Sequence, residues 1–248
     1  MDIFPIASSS EGNVTWIKTT QTSILIDCGV TLKKVGSTIG DASLDAIFLT
    51  HEHSDHIKGA GPVARKYHIP VYIHQYSYTS KQRLFNDCDI NYLNPSIPVI
   101  IGDLTITPFS TKHDCMYSFG FVIEEKDGPI LCYLTDTGMV TKLMMEKIKK
   151  CDTFFIEADY DEEELAKYAG YPDELKERIA SNVGHLSNQQ TIELLKTLDI
   201  DKIKKIIIGH LSPRTNSPAT INKLLVKNFP DYLDKFELAP LTKAITII

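Results

Sequence analysis

The stretch FLTHEHSDHIKG, residues 48–59, sets His51, His53 and His56 around Asp55, directly behind an apolar run. A short apolar run of this kind reads as a buried strand. Its end then delivers three imidazoles and a carboxylate to the rim of a sheet. His51 and His53 are two residues apart, so on an extended backbone they face the same way. Asp55 and His56 follow a turn and address a neighbouring position.

The same plan recurs downstream. TPFSTKHD places His113 just beyond a predicted strand, ILCYLTDTG does so with Asp136, and KIIIGHLS with His210. Loops at strand ends converge on one rim of a rigid scaffold. His51, His53, Asp55, His56, His113, Asp136 and His210 are therefore read as metal ligands in one cleft. Imidazole with carboxylate favours zinc, manganese or iron over calcium. One open site takes three or four protein ligands, so seven ligands suit two divalent ions sharing a carboxylate. His68, in KYHIP, and His74, ending a short strand, are expected to be structural.

The 248 residues, 43% hydrophobic and 23% charged, fit one α/β domain spanning 1–248. Predicted strands dominate first: NVTWIKT, TSILIDCG, LDAIFLT, IPVYIH, PVIIGDLTITPFST, YSFGFVIEE and GPILCYLTDTG. Helices and strands then alternate through TKLMMEKIKKC, CDTFFIEAD, DEEELAKYAG, SNQQTIELLKTLD and IKKIIIGH, and Pro213 and Pro218 punctuate the loop that follows. Two sheets with helices outside would bury both sets of strands, which is a layered sandwich. No run reaches the roughly 18 apolar residues of a membrane span. The opening MDIFPIASSSEGN lacks the basic and apolar regions of a secretory signal. Five cysteines without a C-x-x-C pair fit reduced thiols and a cytoplasmic location. A net charge of −6 argues mildly against a general nucleic-acid binder, although bound divalent ions would reverse the local field.

THEHSDH resembles the H-x-H-x-D-H signature of the metallo-β-lactamase superfamily. ILIDCG, TKHD, LTDTG and GHLS resemble its first, third, fourth and fifth motifs. SSSEGNVT, THEHSDHIKG, YPDELKERI and VGHLSN resemble its YycJ/WalJ/VicX-type branch. The resemblance implies a four-layer αββα sandwich with metals at one edge. It implies one ion on His51, His53 and His113, a second on Asp55, His56 and His210, and Asp136 between them. Asp27 would support the histidine loop. The implied activity is that of a metal-dependent phosphodiesterase, a DNA exonuclease of 5′-to-3′ type, using a bridging hydroxide.

Asp55 and His185 are the candidate catalytic residues. His185 in GHLSN either serves the leaving group or only orients the helix starting near Ser187. Ser187, Asn188, Ser212, Arg214 and Asn216 are candidate phosphate contacts, with caps and turns the competing reading. Lys33, Lys34, Arg65, Lys66 and Arg178 would form any basic track. Glu157 and Asp159 either hold an extra ion, brace the site or mark a helix entry. Cys115 reads as a buried structural thiol rather than a soft ligand. The alternative function is a small-molecule hydrolase of the same superfamily, a cyclic phosphodiesterase or thioesterase. The stretch between Asp136 and His210 leaves no room for the large inserted domain of RNA-cleaving and DNA-repair relatives.

Overall fold

Parallel strands buried on both faces need apolar side chains at every position, and several runs of this chain meet that demand. In IKKIIIGH, Ile206 and Ile208 face one side while Ile207 faces the other, and Phe154, Phe155 and Ile156 divide in the same way. The computed structural model, which describes residues 1–240 and 242–248, folds these runs into two packed sheets.

The strands are β1 (Asp2–Ala7), β2 (Val14–Lys18), β3 (Ser23–Ile26), β4 (Ala46–Phe48), β5 (Val71–His74), β6 (Ile90–Leu93), β7 (Val99–Ile101), β8 (Leu104–Ser110), β9 (Phe119–Glu125), β10 (Ile130–Leu134), β11 (Thr153–Glu157), β12 (Lys205–Gly209), β13 (Phe236–Leu238) and β14 (Ile245–Thr246). The first sheet has the order β14-β1-β2-β3-β4-β5-β6 and the second β13-β12-β11-β10-β9-β8-β7. Each begins antiparallel and turns parallel: β3 to β6 run parallel in the first sheet, β10 to β13 in the second. The helices are α1 (Leu32–Ile39), α2 (Ser54–Ile57), α3 (Ala60–Tyr67), α4 (Gln75–Lys81), α5 (Lys142–Ile148), α6 (Glu162–Lys167), α7 (Asp173–Ile179), α8 (Asn188–Lys196) and α9 (Pro218–Asn228).

Three apolar layers result. Between the sheets, Ile3, Ile24 and Phe48 meet Phe121, Tyr133 and Phe155. Outside the first sheet, Leu25, Ile47 and Val71 pack under Val35 and Ile39 of α1 and Val63 of α3. Outside the second, Phe154, Ile156 and Ile206 pack under Ile148 of α5, Ile192 of α8 and Leu225 of α9. This is the expected four-layer αββα sandwich in a single domain. Tyr133 and Phe155 stack at 4.5 Å in the central layer; truncating Phe155 to alanine would cost about 3–5 kcal/mol.

Ser187 caps α8 with Gln190 reciprocating, the expected capping box. Pro218, read as loop punctuation, instead opens α9 at its first turn, where a missing N–H costs nothing. α7 buries none of its side chains. Among the described residues, no helix is long and apolar enough to cross a membrane.

Candidate metal centre

Crossover helices send parallel strands out at the same edge, where ligands gather beyond their carboxyl ends. His51 and Asp136 follow β4 and β10 by a few residues, and His210 comes directly after β12; β8 delivers His113 to the same rim. Ligand atoms of His51, His53 and His113 lie within 4.8 Å of one another, and so do those of Asp55, His56 and His210. Asp136 joins the sets: Oδ1 is 3.4 Å from His210 Nε2 and 3.8 Å from His113 Nε2, and Oδ2 is 3.5 Å from His56 Nε2. Residues read from separate motifs are thus brought together in one cluster.

In His51, His56 and His113 the second ring nitrogen is committed. His56 Nδ1 is 2.8 Å from Asp27 Oδ2, and Asp27 also accepts from the Thr50 N–H at 2.8 Å. His113 Nδ1 donates to the Gly184 carbonyl at 3.0 Å, leaving Nε2 3.1 Å from His53 Nδ1. His51 Nδ1 lies 3.0 Å from Thr50 Oγ1. Such contacts fix ring orientation and tautomer in metal sites.

Asp27, Asp136 and His210 have φ of 59°, 55° and 53°. This left-handed region costs about 1–3 kcal/mol for a non-glycine residue, and aspartate and histidine are among those that enter it most readily. Gly29 admits an even closer approach: a Cβ there would sit 1.4 Å from the Asp55 carbonyl oxygen.

The donor set fits divalent cations. His51 Nε2, Asp136 Oδ2 and both His210 ring nitrogens are buried without a hydrogen-bond partner among the described residues. Leaving such atoms unsatisfied is costly; cations would remove that cost for His51 Nε2, Asp136 Oδ2 and His210 Nε2, while His210 Nδ1 faces Asp159. Burial alone would raise the Asp136 carboxyl, but His210, His56, His51 and His113 hold it well below the usual carboxylate range. Burial pushes His51 well below its ordinary value, and burial with the imidazoles of His185 and His53 brings His113 down to about 4. His56 is raised well above normal: Asp136 and Asp27 outweigh its burial.

His185 lines the same cavity as His113, Asp136 and His210. Its Nδ1 is 3.1 Å from Glu157 Oε2. Burial opposes its charged form, but Asp159 and Glu157 push it up to about 10. Glu157 Oε1 accepts from the backbone of Thr137 and Leu186 at 2.8 and 3.3 Å, and ligand atoms of Glu157, Asp136, His185 and His210 lie within 4.8 Å of one another. Asp159 Oδ1 stands 3.5 Å from His210 Nδ1.

The phosphate candidates separate. Ser212 lines the cavity, and the Arg214 guanidinium lies 6.0 Å from the centre of the Tyr171 ring. Ser187, Asn188 and Asn216 are corrections: they are 0%, 1% and 5% exposed. Ser187 donates to Glu162, Asn188 and Asn216 exchange amide hydrogen bonds at 3.0 and 2.8 Å, and Asn216 also donates to the Ala158 carbonyl. These polar groups are consumed inside the protein. Of the basic residues considered for a track, only Arg178 lines the cavity, paired with Asp114. Arg65 instead donates to the Asn86 carbonyl. His74 caps α4 and stacks on Tyr117 at 3.8 Å, and His68 ends α3. Cys115 lies outside the ligand sets, its thiol pushed up to about 12 chiefly by burial.

Some working residues escaped the motif reading. Asn13 Nδ2 donates to Asp55 Oδ2 at 3.2 Å, and Ser8 Oγ accepts from the His210 N–H at 2.6 Å. Both lie in SSSEGNVT, which carries the branch resemblance but attaches no role to either residue. Glu52 Oε1 accepts from the Met116 N–H at 2.6 Å and so ties the first histidine turn to the His113 loop.

Residues 22–210 match the family described as the beta-lactamase superfamily domain. The chain is 36% identical over 225 residues to exodeoxyribonuclease WalJ of Streptococcus pneumoniae, covering 85% of this chain and 81% of that protein. It is 32% identical over 219 residues to exodeoxyribonuclease YycJ of Bacillus anthracis, covering 85% and 82%. The metallo-beta-lactamase fold protein YhfI from Bacillus subtilis has the same fold, with a TM-score of 0.75 at 19% identity over 96% of this chain and 95% of that one. The chain belongs to the metallo-β-lactamase superfamily, in the branch that holds WalJ and YycJ.

Proposed function

We propose that this protein is a metal-dependent exonuclease acting on DNA, with two divalent cations, zinc, manganese or iron, as cofactors. The observation that carries the chemistry is the pair of ligand triads sharing Asp136. His51, His53 and His113 would hold one cation, and Asp55, His56 and His210 the other. Divalent cations held there would supply positive charge against phosphoryl oxygens and would make water a nucleophile at neutral pH. The relatives named as exodeoxyribonucleases supply the substrate class.

The chain's own residues do the rest. Asn13 orients the Asp55 carboxylate, and Asp27 fixes the tautomer of His56. A carboxylate only accepts, so Glu157 holds the proton of His185 on Nδ1. Nε2 of the imidazolium is then the atom that hands a proton to the leaving oxygen. The free thiols at Cys28, Cys88, Cys115, Cys132 and Cys151 suit a reducing cytoplasm.

The test is metal analysis of the purified protein with incubation against end-labelled single- and double-stranded DNA and RNA. Mononucleotides released from one DNA end are expected. Failure to cut any nucleic acid with zinc, manganese or magnesium would reject the reading in favour of a small-molecule hydrolase.

A further inference from the structure

The cavity beside the ligand cluster has about 190 Å³ of space and two unlike walls. One carries the ligands His53, Asp55 and His210. The other carries Tyr171, Leu175 and Ile179, on α7 and the turn before it. Leu175 and Ile179 are half-buried yet belong to none of the three apolar layers, so the main cores do not account for their apolar character. Facing the cavity does.

Tyr171 has two close ring neighbours. Tyr168 meets it edge-on, with ring centres 4.7 Å apart and planes at 74°, and the Arg214 guanidinium stands 6.0 Å from its centre. Arg178 lies at the same wall, held by Asp114, the neighbour of His113. An aromatic ring, two aliphatic side chains and Arg178 lining the cavity beside the proposed cation site match one ligand chemistry: a planar base joined to a phosphate. Base–aromatic stacking of this kind tolerates any sequence, because every base presents a π-face.

We propose that Tyr171 is the platform on which the base of the terminal nucleotide stacks, and that it sets a preference for ends that carry a base. The inference rests on the exonuclease reading and adds its specificity determinant. It requires the terminal base to leave its neighbour in the strand. The protein should therefore discriminate between base-bearing and abasic ends while remaining indifferent to which base is present.

The experiment compares kcat/KM of the metal-loaded protein on end-labelled single strands ending in a normal nucleotide or in a tetrahydrofuran abasic residue. The normal end is expected to be preferred about 10-fold or more, the scale of one base–aromatic stack. Tyr171→Ala should collapse that preference towards one, with the loss on the normal end falling mainly on KM. Tyr171→Phe should restore it. Tyr171→Leu, which keeps apolar bulk without a π-face, should behave as Tyr171→Ala does, so a folding defect in one variant does not decide the result. A preference absent in the wild type, or unchanged in both Tyr171→Ala and Tyr171→Leu, overturns the proposal while leaving the exonuclease assignment standing. A wild type that cuts no DNA overturns both, and is told apart by the absence of any product.

Discussion

Glu157 Oε2 lies 3.1 Å from His185 Nδ1, while its other oxygen accepts from the backbone of Thr137 and Leu186. One buried carboxylate at the end of β11 therefore aims an imidazole from a loop 28 residues further along the chain. His185→Ala is expected to lower kcat on DNA by about 100-fold or more, the usual contribution of a positioned acid. Glu157→Gln should lose about 10-fold, because the amide still fills the site but no longer favours the imidazolium. With a p-nitrophenyl phosphodiester, whose leaving group needs no proton, both losses should shrink. Equal losses on both substrates would remove His185 from the proton-transfer role.

The Asp27–His56 contact makes a separate prediction. Asp27→Ala leaves His56 Nδ1 and the Thr50 N–H without their carboxylate. Affinity for the cation at the Asp55, His56 and His210 set should fall about 10- to 100-fold, as is usual when the support of a ligating histidine is lost. Competition with a calibrated chelator measures this. The cation at His51, His53 and His113 should be less affected, so the two stoichiometric steps should move apart.

Chelation should cost stability. A cation present at about 1,000 times its Kd adds about 4 kcal/mol to the folded state. For a chain of this size that amounts to roughly 8–16 °C in melting temperature. Differential scanning calorimetry before and after EDTA, and again after zinc is restored, checks the shift. A melting temperature indifferent to chelation would refute resident metal.

Gly29 supplies a steric test through the backbone of a ligand residue rather than through its ligand atoms. A methyl group there would overlap the Asp55 carbonyl, which also accepts from the Asn13 N–H at 2.8 Å. Gly29→Ala is expected to reduce metal content and lower the melting temperature together, because the ligand turn must move away from the first-sheet loops. Full metal content at an unchanged melting temperature would contradict the packing described.

Asp103 predicts a pH effect away from the centre. Its carboxylate accepts from Thr19 and Thr22, fastening the β2–β3 turn to the β7–β8 turn. Burial alone would raise it, but the two hydroxyls hold it below the ordinary 3.8. The resulting stabilisation is present above the unfolded value and is lost as pH falls through the lower folded value. Wild type should therefore exceed Asp103→Asn in melting temperature near neutrality, and the gap should close below pH of about 3.8. A gap that stays constant down to pH 3 would show that the charge contributes nothing.

The parts of this protein legible in sequence are those encoded within a few residues. His51, His53, Asp55 and His56 stand together, and His113, Asp136 and His210 each follow an apolar run, so strand periodicity alone places them at a rim. The helix starting at Ser187 was equally plain, since a capping box is a three-residue signal. Residues whose role depends on distant partners were silent. Asn13 meets Asp55 across 42 residues and Glu52 meets Met116 across 64. Asn188 and Asn216 misled for a related reason: short polar side chains at helix starts serve phosphate contacts and internal caps equally well, and only burial tells the two apart. The edge strands β13 and β14 are too short for an alternation to show.

α7 adds nothing to the three apolar layers. Mutations along it therefore meet little resistance from folding, whereas those in the strands beneath the cation cradle meet a great deal. Descendants of such a chain are free to redraw what they accept by editing one small helix, while inheriting the hydrolytic chemistry intact.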